Sequence, residues 1–180
     1  DRDMATDRRT MPASLLCLIL AVLGGSASQA DEVFYWNNVA LNMMKDTAVS
    51  PPRAARDLAI VQAAVYDAVN AIDATHTSIY YRPTVSGPAS REAAVAAAAH
   101  RALVGLHPEY AASLDDLLAV RLAGIADGLA RDNGAALGQD VAEHILALRA
   151  SDGSDAGFDY SGGTAAGQWR PTPPGYASAA

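Results

Sequence analysis

Hydrophobic residues recur at helical spacing along most of the chain, and the clearest case lies at 50–73. Ser50 is expected to cap this segment, with its hydroxyl accepting from a first-turn amide, and Pro51 suits the first helical position. At about 100° per residue, one arc about 100° wide gathers the apolar side chains. Its members are Leu58, Val61, Val65, Ala68, Val69 and Ile72. We therefore predict a helix here and expect it to organise the rest of the chain.

A row of polar residues lies beside this apolar arc, also at helical spacing. Its members are Gln62, Tyr66, Asn70 and Asp73. One interpretation is a solvated or capping edge of the helix. The other is a hydrogen-bonding seam against another domain, because buried tyrosine and asparagine side chains need partners and would fix one docking geometry.

Four more segments have helical periodicity, at 31–47, 91–106, about 108–126 and about 129–150. Trp36 in the first is interpreted as a packing anchor, with a ligand platform as the alternative. Ser90 is expected to cap the alanine-rich second segment. Gly134 and Gly138 each cost about 1 kcal/mol relative to alanine inside a helix, so close contact with another helix is the expected compensation.

The remaining segments predict irregular structure. Residues 74–89 read as a loop, and 158–180 have no period and many glycines and prolines, which favour polyproline-type extension. That tail is either disordered or docks Trp169 and Arg170 onto a surface that this chain need not contain. The predicted fold is all-α, with about five helices in an irregular bundle. The expected domains are a signal peptide at 1–30, a helical domain at 31–151 and a connector at 152–180.

The N-terminal segment has the pattern of an export signal. Arg8 and Arg9 precede a short apolar run at 15–23, and small residues then lead to an expected cleavage after Ala30. The run is too short to span a membrane. A buried first helix is the alternative interpretation. We expect an exported protein, periplasmic or secreted, with general secretion and twin-arginine export both open.

Charge and cysteine content exclude several classes of function. The net charge is −7 and the pI is about 4.9, whereas a nucleic-acid partner requires a basic face. Residues 1–30 hold three arginines, three aspartates and the only cysteine, so the remainder keeps 10 basic and 17 acidic residues and no thiol. Disulfides, a thiol nucleophile and cysteine-ligated zinc are therefore excluded beyond residue 30.

The remaining chemistry gives no recognisable site. The histidines are His76, His100, His107 and His144, and none forms the H-E-x-x-H zinc motif. Nucleophile-elbow and phosphate-loop motifs are also absent, and the arginines are spaced singly along the predicted helices. We therefore predict no catalytic, cofactor-binding or metal-binding residue in this chain. Whether the chain has enzymatic activity of its own stays open.

Several segments together resemble the N-terminal helical region of bacterial vanadium-dependent haloperoxidase-like proteins, relatives of type-2 phosphatidic acid phosphatases. These segments span most of 33–176. They are Trp36-Asn37 with Ala40-Leu41, PPRAARDLAIVQAAVYDAVNAID at 51–73, S-x-E-A-A-V-A-A-A-A-H-R-A-L at 90–103, ALGQDVAEHILALRASDGSD at 136–155 and GQWRPTPPGY at 167–176.

The resemblance implies chemistry that this chain does not carry. In that family vanadate or phosphate is held by lysine, arginine, serine and glycine donors and bonded to a histidine, through motifs like K-x6-R-P, P-S-G-H and S-R-x3-G-x-H-x3-D. The nearest matches here, at 75–83, 163–171, 161–163 and 90–97, each lack a required lysine, glycine or histidine. No family site residue can be carried over.

The resemblance leads to two hypotheses about function. The first is the N-terminal helical portion of an exported haloperoxidase-like or phosphatase-like protein, with a catalytic domain beyond Ala180 as its partner and vanadate as a cofactor of the full-length protein only. That portion would frame the catalytic half without catalysing. The alternative is an independent exported helical module that binds or interacts without catalysis.

Overall fold

Five α-helices make up the core of the part of the chain that the structure describes. The computed structural model describes residues 29–157 and 162–176. The helices are α1 (Gln29–Asp46), α2 (Pro51–Asp73), α3 (Arg91–Leu106), α4 (Ala111–Ala123) and α5 (Leu129–Arg149). No strand occurs within the described ranges. The all-α prediction with about five helices is therefore confirmed, while the predicted signal segment lies outside the described residues except for the start of α1.

The central element of the fold is α3, whereas the sequence pattern indicated α2. Helix α3 contacts each of the other four helices. Its residues 93–99 are all buried, and six of these seven are alanine, the exception being Val95. A helix that is apolar on all sides lies inside a fold, and alanine lets neighbouring backbones approach from every direction.

The closest helix contact joins α3 to α5, which run parallel. A Cβ added at Gly134 would lie 2.3 Å from the carbonyl oxygen of Ser90. A Cβ added at Gly138 would lie 2.2 Å from the carbonyl oxygen of Ala94. No side chain fits at such distances, so both glycines are required by the packing. The close contact predicted from their spacing is confirmed.

The buried face of α2 differs from the predicted apolar arc by roughly a quarter turn. Leu58, Val69 and Ile72 are only partly buried at the edge of the core. The buried face instead includes Ile60, Val61, Ala63, Ala64, Val65, Ala68 and Ala71. Because alanine permits the nearest approach to α3, the alanine side of the helix is covered most completely.

The first helix α1 supplies the largest buried side chain. Trp36 is 1% exposed, and its indole N–H donates to Glu32 at 2.9 Å. Glu32 also accepts from the Arg121 guanidinium of α4, and that guanidinium lies 4.4 Å above the Tyr35 ring. The interpretation of Trp36 as a packing anchor is therefore confirmed, and a partly buried ion pair fastens α1 to α4.

Several helix ends depart from the sequence prediction. Ser50 makes no side-chain cap bond, so its predicted role is wrong, whereas the Ser90 hydroxyl accepts from the Ala93 amide at 3.1 Å as predicted. The segment after His107 begins with a 3-10 turn, Pro108–Tyr110, before α4. Leu148 is 52% exposed because it lies on the outer side of the last turn of α5.

The described part of the tail, 162–176, contains turns but no helix. The Gly163 amide donates to the Trp169 carbonyl at 3.2 Å, so this segment folds back on itself. The Trp169 side chain is partly exposed. Docking of Trp169 and Arg170 on another surface stays a prediction. Within the described ranges, no helix combines the length and apolar character that crossing a bilayer requires.

Candidate functional site

The polar row of α2 borders an open groove beside α1. This groove has a volume of about 340 Å³. Its walls combine three valines with polar side chains from α2 and from the loop that follows it. The lining residues are Val33, Gln62, Val65, Tyr66, Val69, Asn70, Asp73, Thr75 and His76. The row predicted from helical spacing therefore lies on one concave surface.

The hydrogen bonds of this row are made inside the chain. Gln62 donates to the Asn37 side chain of α1 at 3.2 Å, and the Tyr66 hydroxyl donates to the Thr77 carbonyl at 3.1 Å. Asn70 donates to the His76 carbonyl at 2.8 Å and accepts from the His76 amide at 2.9 Å. The row thus holds α1 and the 74–81 loop against α2. These polar groups therefore already have hydrogen-bond partners within the described residues. In a seam with another domain they would bond to that domain instead.

Asp67 is a buried carboxylate that the sequence reasoning missed. One oxygen accepts from the Ile79 amide at 2.7 Å, and the other accepts from the Tyr80 and Tyr81 amides at 2.8 and 2.9 Å. These bonds fix the loop on the outside of α2. Nothing in the sequence near 79–81 marks these amides as a target, so the spacing alone could not reveal the contact.

Asp57 is the second buried carboxylate of α2. It accepts from Arg56 at 3.3 Å, and its other oxygen lies 3.2 Å from the His107 ring. His107 is buried at the junction between α3 and the 3-10 turn. The contact therefore ties the start of α2 to the end of α3. The sequence did indicate that Asp57 is buried, because it lies on the same side of the helix as Ala64, Ala68 and Ala71.

The four histidines lie in separate environments. His76 lies beside Thr75, and His100 contacts Asp115 at 2.7 Å. The His144 ring stacks on Tyr81 with centroids 3.9 Å apart. Among the described residues, no three histidine, cysteine or acidic side chains come together in a group that could hold a metal ion. The negative charge of nearby Asp140 raises the pKa of Tyr81.

The arginines are not scattered as their sequence spacing indicated. Arg53 and Arg56 of α2, Arg101 of α3 and Arg149 of α5 line one cavity of about 310 Å³. They meet because α2 runs antiparallel to α3 and α5, which brings its first turns beside the last turns of the other two. The expectation of singly placed arginines is therefore wrong. The sequence could not reveal the cluster without the relative directions of three helices.

Ion pairs at this cavity shift several pKa values. Hydrogen bonding from Arg56, followed by the Ser154 backbone amide, holds the pKa of the Asp152 carboxyl well below its usual range. Hydrogen bonds from Arg101 and then Gln139 lower the pKa of Glu143. The bond to Asp155 raises the pKa of Arg53. The Asp152 and Glu143 carboxylates, whose pKa values are lowered, are therefore ionised at neutral pH.

The near-match to an oxyanion motif at 90–97 has structural roles instead. Ser90 caps α3, and Arg91 pairs with Asp73 at 2.5 Å. Val95 and Ala97, at the positions where the family motif has glycine and histidine, are buried in the core. Comparisons with family models, curated proteins and solved structures found no match for this chain.

Proposed function

We propose that this chain is the N-terminal helical portion of an exported vanadium-dependent haloperoxidase-like protein, and that it scaffolds a catalytic half without catalysing. One observation carries the proposal. The segments that resemble this family at 36–41, 51–73, 90–103 and 136–155 fall in α1, α2, α3 and α5. Helices α1, α2 and α5 all contact α3, so the segments that carry the resemblance belong to the packed framework of the fold.

Exposed apolar residues support a role in framing another domain. Phe34 is 69% exposed and Leu41 is 45% exposed, and a separation of seven residues places them on one side of α1. The groove bordered by Tyr66 and Val69 lies beside the same helix. Exposed apolar side chains and a partly apolar groove along the same helix suit a contact between domains. In the full-length protein, vanadate would be bound by that other domain, and this chain supplies no ligand to it.

The proposal predicts which protein performs the chemistry. The purified 180-residue chain should not brominate a phenolic dye with vanadate, hydrogen peroxide and bromide. The product of the complete natural reading frame should do so under the same conditions. Bromination by the isolated chain that depends on vanadate would overturn the scaffold role. A heat-denatured sample and a reaction without vanadate serve as controls.

A second candidate function is an independent exported helical module that binds a partner or ligand without catalysis. The internal bonding of the polar row favours it, because Tyr66 and Asn70 are already satisfied by the 74–81 loop. This function predicts a sharp thermal transition and little binding of a dye that reports exposed apolar surface. A broad transition with strong dye binding would favour the scaffold, which lacks its partner when isolated.

A further inference from the structure

The arginine cavity at the ends of α2, α3 and α5 has the composition of a binding site. Four guanidinium groups surround it although the chain as a whole is acidic. Its remaining walls include the apolar side chains of Ile60, Leu106 and Leu146. Asp155 also lines the cavity. A cavity whose walls combine several cationic groups with aliphatic groups fits a ligand that has an anionic head and an apolar body.

The carboxylates around these arginines fall into two classes. Asp57 and Asp152 are covered, with side chains 2% and 14% exposed. Asp155 and Glu143, which pair with Arg53 and Arg101, are 77% and 49% exposed. Ion pairs between exposed side chains contribute little to stability. A bound anion can therefore replace Asp155 and Glu143 at small cost, while the covered carboxylates remain.

The resulting charge defines the class of ligand. Four guanidinium groups and two covered carboxylates leave two positive charges once the exposed carboxylates are displaced. Asp57 also contacts His107, so its charge is shared away from the cavity. A ligand with two negative charges on one head balances this site, whereas a singly charged carboxylate or sulfate ester does not.

Several guanidinium N–H groups are available to such a head. Arg101 bonds only through Nε, to Glu143, and Arg149 contacts Asp152 only through Nε at 3.1 Å. Their terminal nitrogens make no hydrogen bond to any residue in the described ranges. The planar guanidinium presents paired donors that match the oxygens of a phosphate group.

We propose that this cavity binds an organic phosphate monoester. The phosphate head would lie on Arg53, Arg101 and Arg149, and the organic group would pack against Ile60, Leu106 and Leu146. This inference is independent of the proposed scaffold function, because it rests only on the cavity. It places a phosphate site at the outer end of the helical bundle, within a single domain.

Calorimetric titration of the full chain with phenyl phosphate tests this proposal. At low ionic strength and about pH 7.5 the monoester is almost fully dianionic, since its second pKa is about 6. We expect saturable binding of one ligand per chain with a dissociation constant of about 1 mM or tighter. Phenyl sulfate, which has the same organic group and one charge, should bind about tenfold more weakly.

Variants separate this site from non-specific attraction. Arg101→Gln should weaken phenyl phosphate binding about tenfold, whereas Arg82→Gln, which removes an exposed arginine outside the cavity, should leave it unchanged. Asp155→Asn removes a competing carboxylate and should tighten binding, a gain that does not depend on a destabilised variant. Absence of saturable binding, equal binding of the two esters, or equal weakening by Arg82→Gln and Arg101→Gln would overturn the proposal.

Discussion

At the scale of single residues, the two buried aspartates of α2 explain how the chain holds its irregular parts. Asp67 accepts hydrogen bonds from three backbone amides of the 74–89 loop. Asp57 accepts a hydrogen bond from Arg56 and contacts the His107 ring. Backbone amides need partners where a loop is covered, and a carboxylate supplies them with charge-assisted bonds. The sequence pattern singled out neither residue as an anchor. The helical phase of Asp57 agrees with its burial, but its contact with His107 and the three amides bound by Asp67 are revealed only by the fold.

Replacement of Asp67 by asparagine should destabilise the protein. One oxygen of the carboxylate becomes an N–H donor that faces backbone donors, so at least one loop bond is lost. We expect a decrease of about 2 kcal/mol in the free energy of unfolding, measured by urea denaturation, together with faster proteolysis within 76–81. Asp116→Asn, on an exposed face of α4, should change stability by less than about 0.5 kcal/mol. Equal stability of the two variants would contradict the anchoring role of Asp67.

Asp152 makes stability depend on pH. Bonding by Arg56 lowers its carboxyl pKa in the folded state relative to the unfolded value of about 3.9. Its contribution is therefore complete above that value and is lost as the pH falls towards the folded pKa. We expect wild type to be more stable than Asp152→Asn near neutral pH, and the difference to shrink below about pH 4. Urea midpoints across pH measure this, and a difference that stays constant on acidification would refute it.

At the scale of elements, helix existence and type followed from the sequence, while helix faces and contacts did not. Periodicity and alanine content located all five helices to within a few residues. The pattern on α2 favoured its larger apolar side chains, but the alanine side is the one that α3 covers. A prediction from hydrophobicity favours the face with the largest apolar side chains. Close packing against α3 instead buries the face with the smallest ones. The arginine cavity was missed for a related reason, since it depends on the directions of three helices.

The contact of α5 with α3 gives a direct test of this packing. In Gly138→Ala the new Cβ would lie 2.2 Å from the Ala94 carbonyl oxygen and 2.8 Å from the Ala98 amide. Both are backbone atoms, so the helices must separate. We expect a loss of about 2 kcal/mol, despite the better helix propensity of alanine.

Gly124→Ala is the matched control, because its φ of −78° suits alanine and its nearest neighbour is 3.4 Å away. Thermal unfolding of both variants measures the difference. A Gly138→Ala protein as stable as wild type would show that the two helices are not held at the distance described.

At the scale of the whole molecule, the core closes around α3, while Phe34 and Leu41 of α1 and Tyr66 of α2 are exposed. The function that we propose, a helical framework for a second domain, predicts that this domain covers them. The sequence contains no complete oxyanion motif, and the near-match at 90–97 serves as a helix cap, an ion pair and part of the core. The anion site that we propose at the arginine cavity is separate from this framework function and is not required by it.

A substitution at Tyr66 tests whether this residue contacts a second domain or only holds the 74–81 loop of its own chain. Tyr66→Leu removes one bond to the 74–81 loop and changes an exposed position on the groove. In the longer protein that we propose, this change should impair assembly with the catalytic half more than it lowers the stability of the isolated chain. Tyr80→Leu, which is exposed but does not line the groove, is the control. Comparable stability losses in the isolated and longer proteins would argue against a seam at Tyr66.

The natural gene product offers the most direct test of the framework account. Antibodies against 31–151 can capture that product from its source, and its intact mass and peptide sequence can then be measured. We predict a polypeptide much larger than the 18.6 kDa of this chain, with P-S-G-H and S-R-x3-G-x-H motifs beyond residue 180. A captured protein that lacks both motifs would contradict the account and leave the independent helical module as the better description.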